Sequence, residues 1–180
     1  MNPSARIYIG CLLFLFIVSA CSKPTKNSVN QPASSNTQSP APQRITSESV
    51  VKVSAGPVAV AIGESTDAVV RLIIQSGYHV NANPPTYSYL KPTQLDVTAS
   101  DGISATSVSY PSPLTKKFAF ADKPLAVYEG ETEIKATIRA HTTARKGEHS
   151  VAAQLRVQAC DDQVCYPPGQ IELRIPVTVK

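Results

Sequence analysis

The sequence predicts an all-β domain, and three observations support this. Segments rich in Val and Ile alternate apolar and polar residues with a period of two, as half-buried strands do. Turn-forming Gly, Pro, Asn and Asp separate these segments at short intervals. After the first 47 residues no long window shows an apolar helical stripe with caps. Many short strands at this spacing indicate a β-sandwich of the immunoglobulin-like type.

The chain begins with a segment typical of an export signal. Arg6 precedes an apolar run over residues 7–20, which is short for a bilayer, since a spanning helix needs roughly 20 apolar residues. The end of the run, Val-Ser-Ala-Cys, resembles the lipobox of bacterial lipoproteins, in which the cysteine is lipidated. We therefore expect residues 1–20 to be a lipoprotein signal peptide and Cys21 to be lipidated. The alternative is an ordinary cleaved signal with an incidental cysteine.

Residues 21–47 are expected to form the lipidated N-terminus and a flexible linker. Their Ser, Asn, Gln, Pro and Thr content cannot bury enough apolar surface to offset the entropy of ordering. Residues 48–180 are then one domain of ordinary size. The predicted strands within it are 50–53, 58–62, 68–74, 94–97, 103–110, 133–138, 151–157 and 171–179.

Charge and composition argue against a nucleic-acid site. The formal net charge is +4, but the basic residues are scattered and aromatic residues are not interleaved with them. A mildly basic, solvated surface is the expected consequence.

The four cysteines reduce to one candidate pair. Cys11 lies in the signal peptide and Cys21 is the expected lipidation site, which leaves Cys160 and Cys165 in an exported, oxidising setting. A disulfide between them closes a six-residue ring, which constrains the unfolded chain by only about 2 kcal/mol. A disulfide that stabilises the fold so little is better suited to reversible thiol–disulfide exchange than to a structural role. A static disulfide across a hairpin is the alternative.

The residues around the pair suggest how its chemistry is controlled. Asp161 and Asp162 place negative charge beside Cys160, which should raise the pKa of its thiol above the free value of about 8.5. The two prolines that follow Tyr166 have a fixed φ and should stiffen the chain after Cys165. Tyr166 is expected to shield the disulfide; the alternative is ordinary packing of an aromatic residue at the end of a strand.

The histidines do not indicate a metal site. None of the three histidines of the domain has metal-ligand spacing to the cysteines, so no metal is expected. His79 is expected to be a structural histidine with satisfied hydrogen bonds rather than a base.

Four segments resemble a known family in their order along the chain. They are Tyr-His-Val-Asn-Ala-Asn-Pro-Pro (78–85), Leu-Lys-Pro-Thr (90–93), Val-Tyr-Glu-Gly (127–130) and Ala-Cys-Asp-Asp-Gln-Val-Cys-Tyr-Pro-Pro (159–168). Together they resemble the N-terminal periplasmic domain of the transmembrane disulfide reductase DsbD, over about residues 49–179. The Cys-x4-Cys-Tyr-Pro-Pro segment is the most specific of the four.

The resemblance implies an immunoglobulin-like fold in which Cys160 and Cys165 relay electrons by thiol–disulfide exchange, with no cofactor. Tyr128 aligns with the aromatic residue of the loop that caps the cysteines in that family; the alternative is a half-buried strand residue. The implied partners are a thioredoxin-like or membrane-embedded thiol reductase and periplasmic thiol proteins. We expect an electron carrier rather than a stand-alone enzyme.

The expected location is the periplasmic side of a bacterial membrane, reached through the lipid anchor. Ser22, the residue after the lipidated cysteine, favours the outer membrane over the inner one. A competing hypothesis of another class remains open. The domain could be a non-redox, immunoglobulin-like lipoprotein module that binds a partner and carries an inert disulfide.

Overall fold

The structure, a computed structural model, describes residues 44–180, which form the all-β, immunoglobulin-like sandwich that the sequence predicts. The predicted signal peptide, Cys21 and the predicted linker up to residue 43 lie outside the described residues. A short 3-10 helix, Ser47–Val50, comes before the first strand. The strands in chain order are β1 (Val51–Ala55), β2 (Val58–Val60), β3 (Ser65–Ile74), β4 (His79–Asn81), β5 (Gln94–Val97), β6 (Ile103–Ser109), β7 (Leu114–Lys116), β8 (Leu125–Tyr128), β9 (Glu131–Ala140), β10 (Gly147–Val157), β11 (Ala159–Cys160) and β12 (Gly169–Val179).

Two larger sheets enclose the main core. One has the order β1-β3-β9-β6, and the other has the order β2-β12-β10-β5. Alternation places Val70 and Leu72 of β3 in the core, opposite Val151 and Leu155 of β10, and all four are fully buried. Burying a side chain of this kind contributes about 1.5–3 kcal/mol, so the sandwich is a stable platform.

A third, small sheet with the order β11-β4-β8-β7 is attached to both larger ones. Strand β11 follows β10 after a single residue, Gln158. Strand β8 leads into β9 through Glu129 and Gly130, and Gly130 has φ of 58°, a left-handed conformation that favours glycine. Two of the longest strands, one from each larger sheet, therefore fix the position of the small sheet.

The two faces of the small sheet have different environments. Directly paired residues of antiparallel strands project from the same face, and successive residues project from opposite faces. Val80 pairs with both Tyr128 and Ala159, and these three side chains belong to the main core. The other face carries a separate apolar cluster of buried residues, namely Leu90, Phe118, Leu125 and Val127.

Candidate functional site

Cys160 and Cys165 form a disulfide at the edge of the small sheet. The two residues also pair as an isolated antiparallel bridge, so they face each other across the turn of residues 161–164. Cys160 is fully buried as part of β11, whereas Cys165 is partly exposed. A reagent from solvent therefore reaches the Cys165 side of the bond first.

Asp161 organises the turn between the cysteines. Its backbone N–H donates to the carbonyl of Val164 at 2.9 Å, and its Oδ1 accepts from the N–H groups of Gln163 and Val164, both at 2.8 Å. Its Oδ2 accepts from the hydroxyl of Tyr166 at 2.6 Å. The hydrogen bonds from Tyr166 and the two backbone N–H groups lower the pKa of Asp161, so this carboxylate is charged at neutral pH.

Tyr166 is half-buried beside the disulfide. Its hydrogen bond to the Asp161 carboxylate raises the pKa of its hydroxyl to about 12. Its ring packs against that of Tyr78, with 6.1 Å between the ring centroids. The structure thus places Tyr166 next to the turn, as a residue that holds it; the expected shielding of the disulfide stays a prediction.

Asp162 lies in the same turn but is exposed, and it lines a surface cavity of about 320 Å³ together with His79, Lys116 and Glu129. The Lys116 ammonium and the Glu129 carboxylate form an ion pair at 2.6 Å within this lining. The predicted influence of Asp161 and Asp162 on the Cys160 thiol remains a prediction, although both carboxylates lie at the site.

The ends of the cysteine segment are held by two polar side chains. The Ser47 hydroxyl accepts from the buried N–H of Ala159 at 3.0 Å and donates to the carbonyl of Pro167 at 2.6 Å. The Gln158 amide donates to the carbonyl of Tyr166 at 3.3 Å. Ser47, the last residue of the predicted linker, is itself fully buried. Hydrogen bonds therefore join the segment 158–167 to the N-terminal residue Ser47, and join the two ends of this segment to each other.

His79 lies directly opposite Cys160 in the pairing of β4 with β11, so both side chains project from the same face of the small sheet. It is 1% exposed, and its ring stacks on that of Phe118 with 4.1 Å between centroids. Its Nε2 has no hydrogen-bond partner, which differs from the satisfied structural histidine that the sequence suggests. Burial lowers the pKa of His79, and Lys116 acts in the same direction, while Glu129, Asp162 and Asp161 oppose the shift.

Tyr128 occupies the other face. It pairs with Val80, is 2% exposed and belongs to the main core. Its hydroxyl donates to the carbonyl of Pro111 and accepts from the N–H of Asn83, both at 3.2 Å. Tyr128 therefore lies on the face of the small sheet opposite to that of Cys160, and its expected role beside the cysteines stays a prediction. Phe118, which the sequence reasoning missed, is an aromatic residue on the cysteine face of the small sheet, where it stacks on His79.

Within residues 44–180, no group of three or more His, Cys, Asp or Glu side chains is placed to hold a metal ion. The same part of the chain contains no helix that is long and apolar enough to cross a membrane.

Comparison with known proteins gives one family. The family described as thiol:disulfide interchange protein DsbD, N-terminal, matches residues 45–175. No curated protein matches the chain. Among solved structures, the reduced N-terminal domain of DsbD from Neisseria meningitidis is 19% identical, with 65% of this chain and 82% of that chain covered and a TM-score of 0.43. The N-terminal periplasmic domain of ScsB from Proteus mirabilis is 13% identical, with 69% and 44% covered and a TM-score of 0.48.

Proposed function

Because the chain belongs to the family of the N-terminal domain of the thiol:disulfide interchange protein DsbD, we propose that it relays electrons through Cys160 and Cys165. The pair cycles between disulfide and dithiol, and the domain acts as an electron carrier rather than a stand-alone enzyme. The observation that carries the proposal is the disulfide between one buried and one partly exposed cysteine, closed over a turn of four residues.

The direction of attack follows from the exposure of the two sulfurs. A thiolate of a reducing partner attacks Cys165 Sγ, forms a mixed disulfide there and expels Cys160 Sγ with the electron pair of the broken bond. The partner's second thiol then attacks the mixed disulfide and releases Cys165. The partner dithiol is oxidised to a disulfide, and the domain gains two electrons and two protons. Electron delivery to an acceptor reverses these steps.

The partners and the location follow the family. The family is periplasmic, and its members interact with thiol proteins and membrane reductases. We propose a thioredoxin-like or membrane-embedded reductase as the electron donor and exported thiol proteins as acceptors. Lipidation of Cys21 after removal of residues 1–20 would hold the domain on the membrane surface through the segment before residue 48, and Ser22 favours the outer membrane.

The reduction potential of the pair tests the proposal. Structural disulfides of exported proteins lie below about −300 mV, and exchangeable ones lie above that value. We expect the Cys160–Cys165 pair to have a reduction potential above about −300 mV. The measurement equilibrates the domain in glutathione or dithiothreitol buffers, alkylates the free thiols and determines the reduced fraction by mass spectrometry. The Cys165→Ala variant serves as the blank. A potential well below this limit would favour the non-redox interaction module with an inert disulfide.

A further inference from the structure

The burial of Cys160 affects how the disulfide forms again after electron delivery. When the reduced domain delivers electrons, exposed Cys165 attacks the acceptor, and buried Cys160 must then close the disulfide and release it. Burial disfavours the thiolate form of a cysteine, and only the thiolate is an effective nucleophile. The closing step therefore requires a group near Cys160 that takes its proton.

We infer that His79 is this group: its unpartnered Nε2 accepts the proton of the Cys160 thiol as that sulfur attacks the mixed disulfide on Cys165. The inference rests on the proposed function, since it names the proton acceptor for one step of it. His79 and Cys160 are direct partners in the pairing of β4 with β11, and their side chains share one face. The histidine Nε2 is the buried side-chain nitrogen at this face that lacks a hydrogen bond.

The protonation state of His79 suits this role. Burial lowers the pKa of His79 from its usual value of 6.5, so the imidazole is neutral and able to accept at pH 7. The charged groups that face it are Lys116 from β7, Glu129 after β8, and Asp161 and Asp162 after β11. The three carboxylates stabilise the imidazolium once it has formed, and the ammonium of Lys116 opposes it.

The surroundings also give the proton a route outward. His79 lines the surface cavity of about 320 Å³ that it shares with Lys116, Glu129 and Asp162. The ring of Phe118, stacked on that of His79, holds the imidazole in one orientation. The imidazole thus lies on the same face of the small sheet as Cys160 and lines a cavity at the surface.

The step balances in atoms and electrons. The Cys165 thiolate attacks the acceptor disulfide, forms a mixed disulfide and releases one acceptor thiolate, which takes a proton from water. The Cys160 thiol then gives its proton to His79 Nε2, and its sulfur bonds to Cys165 Sγ. The second acceptor thiolate leaves and takes a proton from the imidazolium through the cavity. Two thiols of the domain are oxidised, and one acceptor disulfide is reduced by two electrons.

The test follows the closing step directly. The reduced domain is mixed with oxidised glutathione and quenched in acid at successive times. Mass spectrometry then gives the fraction of the domain that carries a glutathione adduct on Cys165. We expect this adduct to be short-lived in the wild type and to accumulate in His79→Gln, with closing slowed by about 10²-fold, the low end of general acid–base effects. The wild-type closing rate should fall as His79 is protonated below its pKa. The variant should lose this inflection and follow thiol ionisation alone.

Two further variants keep the result interpretable. His79→Phe retains a ring against Phe118 and decides the question if the Gln variant does not fold. His141→Gln alters an exposed histidine outside the small sheet and should close at the wild-type rate. Slowing confined to closing supports proton transfer, whereas equal slowing of adduct formation would show a general disturbance and overturn the inference.

The two proposals fail in different ways. Wild-type closing rates and an unchanged pH profile in both His79 variants would overturn the role of His79 and leave the redox function standing. A wild-type domain that forms no adduct with glutathione and no disulfide from its dithiol would overturn both.

Discussion

The Tyr166 hydroxyl donates a hydrogen bond to Asp161 Oδ2 at 2.6 Å, which joins the residue after one cysteine to the residue after the other. The same carboxylate accepts two backbone N–H groups of the turn. Asp161 is therefore the structural centre of the turn as well as a charge beside Cys160. Its substitution changes the geometry of the turn and the electrostatics together, so tests of charge alone are better made at Asp162.

The hydrogen bond between Tyr166 and Asp161 should be visible in the titration of the tyrosines. Tyr166 has a pKa raised from 10.0 to about 12 by Asp161. We expect its absorbance change at high pH, assigned by difference from Tyr166→Phe, to shift towards 10 in Asp161→Asn. The contribution of this bond to stability should be present below pH 10 and lost as the pH rises towards 12. An unchanged titration in Asp161→Asn would contradict the assignment.

The hydrogen bonds accepted by the Asp161 carboxylate should also make the stability of the domain depend on pH in the acid range. The pKa of Asp161 is lowered from 3.8, so its contribution is present above that value and is lost as the pH falls through the lower, folded value. Urea denaturation between pH 5 and about pH 2 should therefore show a smaller loss of stability in Asp161→Asn than in the wild type. An equal loss in the two proteins would mean that other carboxylates account for it.

The disulfide should contribute little to the fold. Its six-residue ring accounts for about 2 kcal/mol, against a typical domain stability of 5–15 kcal/mol. Cys160→Ala combined with Cys165→Ala should remain folded, with a urea midpoint lowered accordingly; alanine avoids placing a hydroxyl at the buried position of Cys160. Chemical reduction of the wild type should give a similar shift. Unfolding of both would identify the bond as a structural staple.

Asp162 should keep the neighbouring thiol protonated. Removing its negative charge in Asp162→Asn should lower the pKa of the Cys160 thiol by up to about one unit, since Asp162 is exposed and its effect is screened. The alkylation rate against pH, measured in a Cys165→Ser background, reports this value. Glu172→Gln on β12 removes an exposed charge outside the small sheet and should have no effect. A wild-type thiol titrating below about 7 would contradict the prediction.

Ser47 should stabilise the domain more than its position near a terminus suggests. In Ser47→Ala the buried N–H of Ala159 loses its acceptor, which costs about 1–3 kcal/mol. Urea denaturation measures the loss. Ser49→Ala, an exposed serine of the same short helix, is the matched control and should cost less. Equal losses of stability at the two positions would show that the short helix, rather than the hydrogen bond from Ala159 to Ser47, accounts for the effect.

Much of the sandwich could be predicted from the sequence, and the small sheet could not. The long strands β3, β9, β10 and β12 alternate over enough residues to show their period. Strands β4, β7, β8 and β11 have two to four residues each, and three of them lack the alternating burial that gives a readable pattern. Their pairing depends on contacts between distant parts of the chain, which local propensity does not encode.

The part of the site that is contiguous in sequence could be predicted, and the part that depends on strand pairing could not. Cys160, Cys165, Asp161 and Tyr166 are neighbours in sequence, so their spacing showed that they belong together. His79 lies 81 positions before Cys160, and only the pairing of β4 with β11 brings them together. The face on which Tyr128 lies is likewise a property of strand pairing.

The alternating faces of the small sheet make the site sensitive to the length of the segments that enter it. Advancing β4 by one residue would turn His79 towards the main core and Val80 towards the disulfide, because successive side chains exchange faces. A single-residue deletion in the connection before β4, at 75–77, would therefore dismantle the site while leaving every site residue in the sequence. Homologues that preserve the site should keep the length of this connection and a glycine at position 77, where φ is 86°.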